Sequence, residues 1–406
     1  MRAVRFGYVT GPVLGALWCL VVATTVAVAM SLATGEAFRP TLWGALVAGA
    51  ALGLACLRPG GRRAPIWPVA VAAVILAGSA AGFGPLAVGG DTGVLAAWIG
   101  WLGAVGFTAL GLWKMLDECR PGRLTRHEFE EAVIRFLTGF GYIFFTAIVL
   151  IPFYVMVMTS LKNQSELMAN PLDFTIDLSQ GWGLLRSYAE LMTDYDFGRY
   201  LWTSFYVSVL TVLITLAFAI PGAYSVARLR FRGQALFARS ILLIYMVPMI
   251  VLALPIYIGF SMTGLRNTIF GIVMIYPVTT IPVALYMLQG YFRGLPAEVE
   301  EAGLMDGLSR LKVIWKITLP LSLPALASVS LYVFMIAWNE FLLAFMLLDD
   351  PSKFTLTRGI ASLNSSEVPR QHLMAGSVIA TVPIMVLFLG LERFMTKGLT
   401  AGSVKG

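Results

Sequence analysis

Along the 406 residues, long apolar runs alternate with polar connections. The runs lie near Val9–Met30, Leu42–Leu57, Trp67–Val88, Val94–Met115, Gly139–Ser160, Leu201–Val226, Ser240–Phe260, Ile269–Tyr291, Ala325–Leu348 and Gly376–Phe394. Most reach the ~20 residues that an α-helix needs to cross the hydrocarbon layer of a bilayer. Lipid offers the backbone no hydrogen-bond partners, so each run is expected as a helix that satisfies itself. The pattern predicts an all-α polytopic membrane protein with ten spans, four in an N-terminal extension (residues 1–116) and six in a core (residues 139–406). Between them the stretch Lys114–Arg135, KMLDECRPGRLTRHEFEEAVIR, is strongly charged, and residues 117–138 read as a cytoplasmic linker. Pro121-Gly122 breaks this stretch, and Thr125 with Glu128 matches a capping box that opens a cytoplasmic helix.

The connections add detail. Residues 58–65, rich in Arg, Gly and Pro, separate the second and third runs on the inner side, and Gly89-Gly90-Asp91 marks an outer turn. Gly7, Gly11 and Gly15 are spaced four apart, as are Gly49 and Gly53, a spacing that lets membrane helices approach closely. Lys162–Arg199, carrying Trp182, Tyr188 and Tyr195, suits an external segment lying at the membrane interface or touching an external partner. Asp349–Leu373 forms a second polar external loop.

One connection is different in kind. Glu298–Pro324 reads EVEEAGLMDGLSRLKVIWKITLPLSLP. Pro296 sits where a helix starts without using its missing N–H, and Glu298, Glu300 and Glu301 place carboxylates near the positive end of the helix dipole. Asp306-Gly307 ends that helix, since Gly tolerates the left-handed conformation, and Ser309 is placed to cap the next. On the second helix Leu311, Ile314 and Trp315 share one side while Arg310, Lys312 and Lys316 point elsewhere. Pro320 and Pro324 then redirect the chain into the membrane. The result is a compact helix-turn-helix that looks like a docking knob.

This string resembles the EAA loop of ABC-importer permeases, where Glu-Ala-Ala, a Gly and Ile-x-Leu-Pro recur at set intervals. Here they are Glu301-Ala302-Gly303, then Asp306-Gly307, then Ile317-Thr318-Leu319-Pro320, with Gly303 in place of the usual second Ala. The resemblance implies that residues 291–324 insert into a cleft on a cytoplasmic ATPase, with Glu301 paired to a basic group there and Gly307 keeping the turn tight. The six spans from Phe136 to Gly406, with this loop between the fourth and fifth, are similar in layout to maltose-type sugar permeases. That likeness implies a heterodimer with a second permease, two ATPase copies that bind ATP-Mg while this chain binds no cofactor, and an extracytoplasmic sugar-binding protein. It also implies a di- or oligosaccharide cargo such as maltose, trehalose or another α-glucoside. Within the tail, residues 396–406, Gly398, Thr400, Gly402 and Lys405 resemble a segment that reaches toward the ATPase dimer; read without the resemblance, it is a frayed polar terminus.

Polar residues within the spans are candidates for a substrate pathway. Trp338-Asn339-Glu340 puts an amide and a carboxyl at membrane depth, where ionisable groups face a cavity or a partner. A polar lock between helices and direct sugar contact both fit. Tyr276, Thr279, Thr280 and Gln289 lie on the run that carries Pro277 and Pro282, whose freed backbone groups a pore can use; kinked packing is the plainer explanation.

Composition narrows the function further. Hydrophobic residues make up 58% of the chain and charged ones 13%, which sets this apart from a nucleic-acid-binding protein despite its net charge of +7. The Lys and Arg residues instead cluster on the loops assigned to the cytoplasm, and both termini are expected there. Cys19, Cys56 and Cys119 lack CxxC spacing and read as packing residues, and His127 as a solvated one. The first run lacks a clear small-residue cleavage site, so it reads as a retained helix. No GxxxxGK[ST], HExxH or GxSxG string occurs, so neither nucleotide hydrolysis nor metal or serine catalysis is assigned to the chain. The expectation is a transporter subunit, not an enzyme. The alternative is an ion-coupled secondary carrier using Glu340, and the first four spans also fit a fused sensory or assembly module.

Overall fold

The computed structural model describes residues 5–57, 66–90, 92–170, 173–176, 178–365 and 368–400. The chain forms two compact units, Met1–Gly181 and Trp182–Gly406. The first contains α1 (Gly7–Thr34), β1 (Phe38–Pro40), α2 (Leu42–Ala55), α3 (Ile66–Ala80), β2 (Leu86–Val88), α4 (Val94–Met115), α5 (Arg126–Ser160) and α6 (Gln164–Ala169). The second contains α7 (Arg186–Asp194), α8 (Phe197–Arg228), α9 (Gln234–Tyr245), α10 (Met249–Met262), α11 (Ile269–Gly294), α12 (Ala297–Met305), α13 (Arg310–Val313), α14 (Leu319–Leu321), α15 (Leu323–Asn339), α16 (Leu342–Leu347), α17 (Leu356–Leu363) and α18 (Arg370–Thr400).

Among the described residues, six helices are long and apolar enough to cross a membrane: α1, α4, α5, α8, α11 and α18. The bent pair Arg310–Leu321 and Leu323–Asn339, folded by 80°, makes a seventh if counted as one span. Ten were expected, and the differences have local causes. The second run is only the 14-residue α2. The third stops at Ala80 after 15 residues, because Gly82 adopts a left-handed φ of 87° and Gly84-Pro85 follows. Its last residues become β2, paired antiparallel with β1. At about 1.5 Å per residue, α2 and α3 each cover roughly 21–23 Å, short of the ~30 Å hydrocarbon layer. The run Ser240–Phe260 is broken before Pro248 into α9 and α10, and Ala325–Leu348 is broken at Glu340 into α15 and α16. The last run extends past its expected end, so that residues 396–400 are helical; Gly402 and Lys405 lie outside the described residues.

In the first unit the glycine spacing does what its pattern implies. A Cβ built on Gly11 would lie 2.9 Å from the Gly53 carbonyl oxygen, and those on Gly15 and Gly49 would overlap each other's backbones. The two helices touch backbone to backbone, which only glycine permits. Trp18 fills the core beside this seam, edge-on to Phe136 of α5 at 6.2 Å. The capping box forms as expected, with the Glu128 N–H donating to Thr125 Oγ1 and the Thr125 N–H to Glu128. It opens a single 35-residue helix in which the charged first turns run without a break into the apolar span. All three cysteines are buried and unbridged, and burial pushes the Cys119 thiol up to about 11.

At the far end of α5, Tyr154 Oη donates to the Leu32 carbonyl at 2.8 Å, and Lys162, itself buried, pairs with Asp173 at 3.1 Å. Asp173 also accepts from the Thr175 hydroxyl and N–H. Those bonds, then Lys162, hold its carboxyl below the usual aspartate range.

Among the described residues, the second unit has two cores. One gathers Phe197, Tyr276, Trp338, Leu343 and Leu356; the other gathers Ala219, Tyr224, Leu285, Phe292 and Val329. A stripe of hydroxyls on α8 is buried against its neighbours. Thr215 shares a 2.6 Å hydrogen bond with Thr280 of α11, Ser204 accepts from the Leu356 N–H, and Thr211 bonds back to the Val207 carbonyl.

The Asp173 carboxylate yields a pH prediction. Its folded pKa is depressed, so its contribution to stability is fully present above the unfolded value of about 3.9 and is lost as pH falls through the lower folded value. The unfolding temperature of the purified protein in detergent should therefore drop in that acid window, and Asp173→Asn should make the drop shallower. An unchanged slope in the variant would remove this pairing from the account of acid stability.

Candidate functional site

The site is the segment that joins α11 to α15. Pro296 occupies the N-cap position of α12, and Glu298 and Glu300 lie in its first turn. The helix closes in the manner expected at Asp306-Gly307. Gly307 has φ of 83°, its N–H donates to the Leu304 carbonyl and that of Leu308 to Gly303, the pair of bonds that defines a Schellman closure. Ser309 stands at the N-cap of α13, but its side chain makes no capping bond. The second helix is not continuous either. After one turn it widens into a π turn, Ile314–Thr318, and then tightens into α14 before the 80° bend.

The side chains of this segment divide between an outer and an inner face. Leu311 and Trp315 are 71% and 72% exposed, and Met305 is 89% exposed. Ile314, expected to share their side, instead packs inward against the core around Phe292. Glu301, Ala302, Asp306, Gly307 and Pro320 are also exposed; Gly303 is buried, and Ile317 and Leu319 are half-buried. The knob thus presents apolar side chains among charged ones. A groove of about 1350 Å³ lies between α12 and the chain leaving α8, lined by Arg228, Arg230, Phe231, Glu301, Leu304 and Arg310.

Glu300 behaves unlike its neighbour Glu301. It is only 6% exposed. Tyr224 Oη donates to its Oε2 at 3.2 Å, Thr318 Oγ1 donates to its Oε1 at 2.9 Å, and Arg228 Nε lies 3.5 Å from Oε1. Arg228 also donates from Nη2 to the Leu295 carbonyl at 2.7 Å. One carboxylate therefore meets α8, α12 and the π turn, and through Arg228 the end of α11. Sequence reading gave Glu300 only a place at the helix dipole and did not bring these four residues together. The available signal was the Glu300-Glu301 doublet, because side chains one residue apart on a helix point about 100° away from each other and cannot both face a partner.

The expected pathway residues are mostly engaged in packing. Trp338 is buried, and its Nε1 donates to the Ala380 carbonyl at 3.1 Å, linking α15 to α18. Glu340 accepts from the N–H groups of Leu343 and Ala344 at 2.8 and 3.1 Å, capping α16 at the break in the span. Tyr276 is fully buried, Thr279 bonds back to the Tyr276 carbonyl, and Thr280 is held by Thr215. Asn339 is exposed and donates to Met335 of its own helix. The structure brings Trp338, Tyr276 and Glu340 into one end of the second unit. For the tail, Gly398 and Thr400 fall in the last turn of α18.

Comparison with known proteins agrees with this geometry. Residues 219–400, which contain the whole knob, match the family described as "Binding-protein-dependent transport system inner membrane component". The inner membrane ABC transporter permease protein YcjP of Escherichia coli is 38% identical over 269 residues, covering 66% of this chain and 95% of that one. The chain belongs to the binding-protein-dependent ABC transporter permeases. The trehalose/maltose transport system permease protein MalG of Thermococcus litoralis is 34% identical, covering 68% of this chain and 99% of that one. A crystal structure of a bacterial ABC transporter involved in import of the acidic polysaccharide alginate contains a chain with the same fold, at a TM-score of 0.56 and 22% identity, covering 66% of this chain and 98% of that one. The resemblance read from the EAA-like string is thereby borne out, and the permease is a multi-pass membrane subunit and not an enzyme.

Gly303, where the EAA pattern has Ala, carries a prediction. A Cβ there would lie 2.5 Å from Ile317 Cδ1. Ala is favoured over Gly within a helix by about 1 kcal/mol, while forcing an extra methyl into a packed core costs about 1–3 kcal/mol. Gly303→Ala alone should therefore be neutral to destabilising, but stabilising by up to about 1 kcal/mol in an Ile317→Val background that removes the obstructing methyl. Unfolding temperatures of the four variants in detergent form the cycle. Strict additivity would show that the Gly303–Ile317 contact does not govern this position.

Proposed function

We propose that the chain is the membrane permease subunit of an ATP-driven, binding-protein-dependent importer of a di- or oligosaccharide, such as maltose, trehalose or another α-glucoside. The observation that carries this reading is the knob itself: Met305, Leu311 and Trp315 stand exposed on a segment whose inner face is fastened to α8. Large apolar side chains standing exposed among charged ones on a polar connection mark a protein-docking surface. In this reading residues 291–324 face the cytoplasm, as the positive-inside distribution of Lys and Arg requires, and both termini lie on that side.

The partners follow from the same assignment. A second permease completes the pathway across the bilayer, and two cytoplasmic ATPase subunits hold ATP-Mg and receive the knobs of the two permeases. An extracytoplasmic sugar-binding protein delivers cargo to the outer face. The end of α18 and the residues beyond it, Gly398 to Lys405, contact the ATPase dimer. ATP binding drives alternating access through its different affinity for the two states of the complex. Support for the sugar class comes from the names of similar permeases, which include trehalose, arabinooligosaccharide and diacetylchitobiose systems. Glu340, whose oxygens are occupied in capping α16, fits a structural role better than an ion-coupling one.

Docking of this kind concentrates its energy in a few large apolar side chains. Replacing Leu311 and Trp315 together by Ser should reduce the ATPase retained on affinity-purified permease at least tenfold, because truncating two such anchors removes well over ~1.4 kcal/mol. Membrane insertion and yield should stay unchanged. Retention of the ATPase at the wild-type ratio would remove the knob as the docking surface.

A further inference from the structure

We propose that Glu300 is a positioning residue that fuses the knob to the adjoining ends of α8 and α11 as one rigid lever, so that motion imposed on the knob reaches the spans without slack. The proposal rests on the docking role given above and adds how force leaves the docked surface.

The geometry has three parts. First, Glu300 and Glu301 are neighbours on α12, one buried and one exposed, so the helix carries an outward carboxylate for a partner and an inward one for the fold. Second, the inward carboxylate is shared among elements far apart in sequence: Tyr224 and Arg228 lie about 70 residues earlier on α8, and Thr318 lies 18 residues later. Third, Arg228 is itself anchored, because its Nη2 closes the C-terminal end of α11 at the Leu295 carbonyl. Among the described residues Arg228 is the one cation paired with Glu300. Swinging the knob alone would break the Tyr224 hydrogen bond and separate the largely buried Glu300–Arg228 pair. The π turn belongs to the same device. It carries Thr318, which reaches Glu300, and leaves Leu311 and Trp315 exposed; such insertions recur at functional positions in helices.

A rigid lever and a hinged knob predict opposite results in the full complex, reconstituted with its ATPase, second permease and binding protein in proteoliposomes. Glu300→Gln keeps the shape of the side chain but removes its charge. We expect the ATPase to stay bound at the wild-type ratio while sugar transported per ATP hydrolysed falls at least tenfold; a wild-type ratio of transport to hydrolysis in an assembled Glu300→Gln complex would overturn the lever. The second arm leaves the cluster intact and decides the matter even if that variant fails to assemble. Cysteines replacing Ser225 and Leu304, both of which line the groove between α8 and α12, are bridged by a short bifunctional thiosulfonate. A lever transports equally well before bridging, after bridging and after reduction. Loss of transport on bridging that reduction restores would overturn it by showing that the groove opens and closes in each cycle. Failure of wild-type permease to retain an ATPase at all would instead strike the docking role, so the two ideas fail separately.

Discussion

The absence of water in the hydrocarbon layer constrains everything else in this chain. A polar group placed there finds a protein partner or carries a large unpaid desolvation cost. On α8, Thr211 accordingly bonds backward along its own helix, Thr215 across to α11 and Ser204 to the Leu356 N–H. The Trp338 indole crosses to α18. Where a span is interrupted at Glu340, the first N–H groups of α16 would be left bare, and the carboxylate supplies the acceptors that the missing helical turn would have provided. A residue that reads in sequence as a charge awaiting a substrate is, in the fold, the means by which the break is tolerated.

What was legible in the sequence was whatever local physics dictates. Thr125 and Glu128 formed their reciprocal cap because both partners lie within one turn, and Gly307 took the left-handed conformation because a Schellman closure requires it. The Gly11-Gly15 and Gly49-Gly53 spacings placed two backbones in contact because lipid gives helices no reason to associate other than close packing. Hydropathy alone marks ten apolar runs, of which six appear among the described residues as single helices long enough to cross a membrane. It registers apolar character over a window and is blind to the two or three residues that end a helix inside that window, as Gly82 and Gly84-Pro85 end α3 and Pro248 divides α9 from α10. The Glu300 cluster was illegible for a different reason. Its members are drawn from α8, α12 and the π turn, and no local pattern announces that Tyr224 and Thr318 share one carboxylate.

The knob shows how a short segment can be both anchored and available. Leu311 and Trp315, four residues apart, stand exposed, while Ile314 packs against the core around Phe292 and Thr318 of the π turn donates to the buried Glu300. Departure from the EAA pattern at Gly303 fits the same economy of space: Ile317, the first residue of the Ile-x-Leu-Pro string, fills the volume that the missing methyl of Ala302's neighbour vacates.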